Sequence, residues 1–182
     1  MAEGLIWLGL AVKILNKENF MKILKTFVFP ALFVALLVAV DQITKYLAVE
    51  YLKPIRIFHI IEGVFSLQFH ENPGMAFGLF QGGRWFFIGF TIIILGLFIY
   101  YYASLPKTRH RGIIRLFLLM LMGGALGNFA DRLFREGYVV DFFSFTLINF
   151  PIFNMADVFL VVAVFFLIIF TLFSREQQNE QV

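Results

Sequence analysis

Two aspartates, Asp141 and Asp157, bracket fifteen consecutive residues without a charge, and sixteen more uncharged, mostly apolar residues follow Asp157. A carboxylate beside such a run either takes a proton or finds water and a partner, because bare ionisation in low dielectric is costly. Two carboxylates brought together solve the problem jointly, one keeping a proton while the other ionises. Such a pair is equipped for hydrolysis by general acid/base chemistry. The ionised member activates a water against a carbonyl, and the protonated one polarises that carbonyl or protonates the leaving amine. No metal, cofactor, serine or cysteine nucleophile is required, and the chain has no cysteine. Asn154, three residues before Asp157, shares its helical face if a helix begins that early. There it would hold substrate backbone or orient a carboxylate.

Other polar residues stand next to apolar runs. Asp41 and Lys45 are four apart on one helical face and read as an ion pair. Asn72-Pro-Gly74 combines a turn former with a permissive glycine, either as a plain turn or as a means of presenting Asn72 to a ligand. Gly123-Gly-Ala-Leu-Gly127 has the small-residue spacing that lets helices approach closely. Asn128 and Arg132 follow it one turn apart, and Asp131 with Arg132 is expected to brace the end of a bundle. His59, His70 and His110 share no metal-ligand spacing and read as surface residues.

The elements that must position these groups are membrane helices. Sixty per cent hydrophobic residues, 15% charge and a mean hydropathy of +0.85 exclude an ordinary soluble domain. Basic residues lie beside apolar spans, so no nucleic-acid partner is expected. About 20 residues cross the hydrocarbon, and four spans fit, at about 24–48, 85–103, 113–130 and 156–173. Residues 21–182 then form one domain. Residues 1–20 read as an N-terminal extension, whose Leu5, Leu8, Val12 and Leu15 would suit a short interfacial helix. No cleaved secretory signal is expected.

Four spans put both termini and the loop between the second and third spans on one side, which holds nine of the fifteen basic residues. The positive-inside rule makes that side cytoplasmic and places Asp41, Asp141 and Asp157 at the outer face. Between the first two spans, Ile55–Ile61 and Val64–His70 flank Glu62-Gly63, a two-residue hairpin turn candidate. Phe65, Leu67 and Phe69 alternate with Ser66, Gln68 and His70, giving a small sheet with one apolar face. Such a sheet would either cradle a substrate at the membrane surface or merely cap the bundle.

Five segments together resemble one family. Asp41-Gln-Ile-Thr-Lys45, Asn72-Pro-Gly-Met-Ala-Phe77, Gly123-Gly-Ala-Leu-Gly-Asn-Phe-Ala-Asp-Arg132, Val140-Asp-Phe142 and Phe153-Asn-Met-Ala-Asp157 resemble, in order, the lipoprotein signal peptidases, or type II signal peptidases. The resemblance runs from Lys22 to Phe173. It implies an all-α membrane protein of four transmembrane helices with a small extracytoplasmic β-sheet cradle. Asp141 and Asp157 become a catalytic dyad, and Asp41, Lys45, Asn72, Gly74, Asn128, Arg132 and Asn154 become substrate-binding or supporting residues, with no metal and no cofactor. The implied partners are lipid-modified prolipoproteins and membrane lipid. The implied reaction is an intramembrane-edge cut just before a diacylglyceryl-modified cysteine, and the implied location is the bacterial cytoplasmic membrane.

Two other functions fit parts of the pattern. A transporter or proton relay would also place carboxylates in a membrane. Against it, the acids cluster at one face and the second and fourth spans carry no charge at mid-depth. A non-catalytic lipid-binding or assembly protein would account for 26 Phe but not for paired aspartates.

Overall fold

The computed structural model describes residues 17–74, 83–106, 108–148 and 150–179. The interfacial helix expected in the first twenty residues falls almost wholly outside them, as do Met75, Ala76 and Phe77 of the second motif. The described chain begins with α1 (Lys17–Ile23), a π-helical turn (Leu24–Val28), α2 (Phe29–Leu47) and a second π-helical turn (Ala48–Leu52). These run on as one helical span, Glu18–Leu52, and Pro30, which has no N–H to donate, falls just after the first π-helical turn, where the hydrogen-bond ladder already changes register. Two strands follow, β1 (Ile57–Ile61) and β2 (Phe65–Asn72). Next come α3 (Arg84–Ser104), α4 (Arg109–Phe134), β3 (Val139–Phe145), a 3-10 turn (Thr146–Ile148) and α5 (Met155–Asn179).

Four of these helical stretches are long and apolar enough to cross a bilayer: Glu18–Leu52, Arg84–Ser104, His110–Phe134 and Met155–Phe173. The protein is a multi-pass membrane protein. Its third span is the hub, with α4 packing against α2, α3 and α5. Leu118, Leu121, Met122 and Ala163 lie buried between spans, while Phe27, Leu36, Ile93 and Phe165 point outward into the lipid-facing surface. Close approach at the hub depends on glycine. A Cβ on Gly124 would stand 2.6 Å from the Ala156 carbonyl oxygen, and one on Gly127 would stand 2.5 Å from Asp41 Oδ2. The small-residue motif therefore admits both the start of the fourth span and the Asp41 side chain of the first.

Among the described residues the sheet has three strands, antiparallel and in the order β1-β2-β3. Its third strand, which carries Asp141, was not read from the sequence. Val139, Val140, Asp141 and Phe142 are all buried, so there is no apolar/polar alternation to mark a strand. The hairpin loop is three residues long, not two, since Ile61 pairs with Phe65 and Gly63 takes φ +71°. The expected two-faced alternation of β2 also fails midway. A register shift between Leu67 and His70 puts Ser66 and Phe69 inside together.

Candidate active site

Asp141 and Asp157 reach the same place by different routes. Asp141 lies on β3, where His70 of β2 faces it across the ladder. After the 3-10 turn the chain doubles back along β3: Phe142 and Phe143 donate their N–H groups to the Phe153 carbonyl, and Phe153 donates to Phe143. This return brings Asn154 beside Asp141 and starts α5 one residue later.

Asn154 then caps α5. Its Oδ1 accepts the Asp157 N–H at 3.0 Å, and Asp157 Oδ2 accepts the Asn154 N–H at 3.1 Å. This reciprocal pair is a capping box with aspartate at its third position, and it fixes the Asp157 carboxylate at the helix N-terminus. The shared-face expectation for Asn154 is thereby refined. Asn154 sits just outside the helix, and its side chain turns back to the first turn.

Each carboxylate receives amide donors. Asp141 Oδ2 accepts from Asn72 Nδ2 at 2.9 Å, and Asp141 Oδ1 accepts from Asn154 Nδ2 at 2.6 Å. Asp157 Oδ1 accepts from Asn128 Nδ2 at 2.8 Å. The asparagine orientations follow from donors on their far sides. Asn72 Oδ1 accepts the Gly74 N–H at 3.0 Å, and Asn154 Oδ1 accepts the Asp157 N–H, so both amide nitrogens must face Asp141. Gly74 contributes in a second way, since its carbonyl accepts from the Arg132 guanidinium at 3.1 Å. That guanidinium also lies 4.6 Å over the Phe87 ring.

A cleft of about 470 Å³ joins these groups. Asn72, Asn128, Arg132, Asp141 and Asp157 line its polar end. Phe150 to Phe153 and Val158, Val161 and Val162 of α5 supply an apolar wall. Val161 is exposed on the lipid-facing surface, so the cleft opens toward hydrocarbon. Asp141 is only 2% exposed, whereas Asp157 is half-buried. Burial, reinforced by the nearby Asp157 charge, pushes the Asp141 carboxyl from its ordinary 3.8 up to about 7, against the opposing pull of the Asn72 and Asn154 donors.

Behind the cleft is a buried ionic cluster. Lys45 Nζ lies 2.9 Å from Asp41 Oδ2 and 3.0 Å from Asp131 Oδ2, with all three side chains fully buried. The sequence-predicted Asp41–Lys45 pair is present. Asp41 Oδ1 also accepts the Ala156 N–H at 2.9 Å, so the first span caps the fourth. Asp131 does more than brace the bundle end. It accepts the Val140 N–H at 3.0 Å and pairs with Arg135 at 3.2 Å, tying β3 to α4.

Gln42 went unremarked in the sequence, yet its Nε2 lies 3.1 Å from Asp41 Oδ2 and 3.0 Å from Asp131 Oδ1. The only signal was its place between Asp41 and Lys45 in the first motif. The histidines are exposed as expected, and His59 shares a hydrogen bond with Ser66 at 2.9 Å.

The sequence profile of the Signal peptidase (SPase) II family matches residues 33–173. The chain belongs to the signal peptidase II family. It is thus a peptidase, in agreement with the resemblance read from five short motifs. A lipoprotein signal peptidase of Brevibacillus brevis is 44% identical over 133 residues, covering 73% of this chain and 87% of the relative. One of Clostridioides difficile is 41% identical over 148 residues, covering 81% and 97%. A solved structure described as a bacterial membrane enzyme is 33% identical and superposes with a TM-score of 0.74, covering 83% of this peptidase and 92% of that chain. The mostly helical four-span fold with a small sheet is therefore shared with that membrane enzyme.

Proposed function

We propose that this peptidase removes the signal peptide from diacylglyceryl-modified prolipoproteins, cutting before the lipidated cysteine, with Asp141 and Asp157 as its catalytic dyad. The observation that carries the reading is the cleft itself. Two carboxylates from separate elements enter one cavity, each held by amide donors, where a polar end meets a wall open to lipid. A substrate with a hydrophobic segment and a scissile peptide at the membrane edge matches that division. The names of the similar proteins support the same substrate class.

In this reading the proton shared by the pair resides on Asp141, the more deeply buried member, and the partner carboxylate takes a proton from an attacking water. Asp141 polarises the scissile carbonyl and then protonates the leaving amine. Asn72, Asn128 and Asn154 keep the carboxylates from turning away. Arg132 fixes the Gly74 backbone at the mouth of the cleft and contributes positive charge near both carboxylates. Asp41 and Lys45 support the site from behind, residues 21–182 act as one peptidase domain, and residues 1–20 are an extension to it. Both termini lie in the cytoplasm and the cleft lies near the outer face of the bacterial cytoplasmic membrane, as the distribution of Lys and Arg supports. A transporter or proton relay has no support from the family or from the cleft.

The test is cleavage of a lipidated precursor peptide by purified protein, with the cut located by mass. Asp141→Asn and Asp157→Asn should each fold and lose cleavage. Because the two act as one unit, the double variant should be scarcely worse than either single one. A folded single variant that cleaves at near-normal rate removes that aspartate from the mechanism.

A further inference from the structure

Lys45 is the one fully buried cation in the cluster behind the cleft, and its charge is already balanced by Asp41 and Asp131. Its third contact is to Asn128 Oδ1, at 2.9 Å. An ammonium only donates, so the atom of Asn128 that faces it must be the amide oxygen. The same oxygen accepts from Asn154 Nδ2 at 3.0 Å. Held from two sides, the amide can point only its nitrogen at Asp157 Oδ1, 2.8 Å away.

We propose that Lys45 is a positioning residue for catalysis, acting through Asn128 to keep an N–H donor on the Asp157 carboxylate. The proposal rests on the reading of Asp141 and Asp157 as the dyad. Without Lys45 the Asn128 oxygen keeps only the Asn154 donor, so the amide turns over more readily. Each turn would set its oxygen lone pairs against a carboxylate and push Asp157 out of register with the water it must activate. The first span thus acts on a side chain of the fourth through a residue of the third. A charge buried for stability alone would need only the two aspartates. The link to Asn128 gives this ammonium a direct line to the reacting group.

Lys45→Met alone would strand two buried anions, so the decisive variant is Lys45→Met with Asp41→Asn. It leaves Asp131 paired with Arg135, and an asparagine at 41 still offers an oxygen to the Ala156 N–H. Cleavage of a lipidated precursor by this variant is compared with Asp41→Asn, Asn128→Ala and the combination of all three substitutions. Relative to Asp41→Asn, kcat should fall on the order of 10- to 100-fold, the worth of one hydrogen bond to a charged group, with KM little changed. Adding Asn128→Ala to the Lys45 variant should then cost nothing more, because both act by one route. Unchanged kcat in folded protein, or effects that multiply independently, would overturn the proposal. Near-normal cleavage by Asp141→Asn or Asp157→Asn would instead overturn the dyad beneath it, so the two failures are distinguishable.

Discussion

Removing the charge of Asp141 should flatten the dependence of stability on pH. In the unfolded chain this carboxyl titrates at about 3.8, and in the folded protein at about 7. Below 3.8 both states hold the proton; between the two values only the folded state does. The fold is therefore favoured on the acid side, and that advantage is lost as pH rises through 7. The slope has a ceiling of about 1.4 kcal/mol per pH unit, and the whole window corresponds to about 4 kcal/mol at most. For a chain of this size that is roughly 8–15 °C in melting temperature.

Asp141→Asn cannot titrate. Its amide would set an NH2 group against either Asn72 Nδ2 or Asn154 Nδ2, a fixed cost of about 1–3 kcal/mol that does not vary with pH. The difference between wild-type and variant melting curves in detergent micelles, from about pH 4 to about pH 8, separates the contribution of Asp141, together with its coupling to Asp157, from the acids outside the pair. The wild type should lose stability across this range relative to the variant. Parallel curves would mean that Asp141 is as ionised when folded as when unfolded, and the shared-proton mechanism would fall with that.

The pH–rate profile should be bell-shaped, its alkaline limb near the value of about 7 at which Asp141 loses its proton. Asn72→Ala, which removes a donor that favours the ionised form, should move that limb upward by about one pH unit; an unmoved limb argues against the contact. Gly127→Ala should lower the melting temperature by the equivalent of about 1–3 kcal/mol, because its Cβ would stand 2.5 Å from Asp41 Oδ2. Gly89→Ala on the second span, with nothing within 4 Å of its Cβ, should not. Asp41→Ala leaves the Ala156 N–H without its acceptor and Lys45 with one anion, so folded yield should drop, at a cost of about 3 kcal/mol or more. Equal yields would show that the cluster tolerates the gap. Reporter fusions after His110 and Val182 should read cytoplasmic and one after Gly82 external; a cytoplasmic readout at Gly82 would place the dyad on the wrong side.

The sequence by itself determined the solvent this protein folds in and the residue types of its site. Long uncharged runs leave no alternative to spanning helices, since every backbone group in hydrocarbon must be satisfied internally. The Asp41–Lys45 pair was legible for the same local reason: four residues on a helix is contact distance. Asn154 and Asp157, three apart, were legible as neighbours, though the capping box between them appeared only once the helix start was known. What the tertiary structure decided lies between residues far apart in sequence. Asn72 finds Asp141 across 69 positions, and Lys45 finds Asn128 across 83. No periodicity encodes such contacts. They depend on a buried third strand whose unbroken apolar run hides its pairing, and on Gly124 and Gly127, where a missing Cβ lets three spans close around one polar cluster. Local spacing sets which side chains share a helix face, and only packing sets which faces meet.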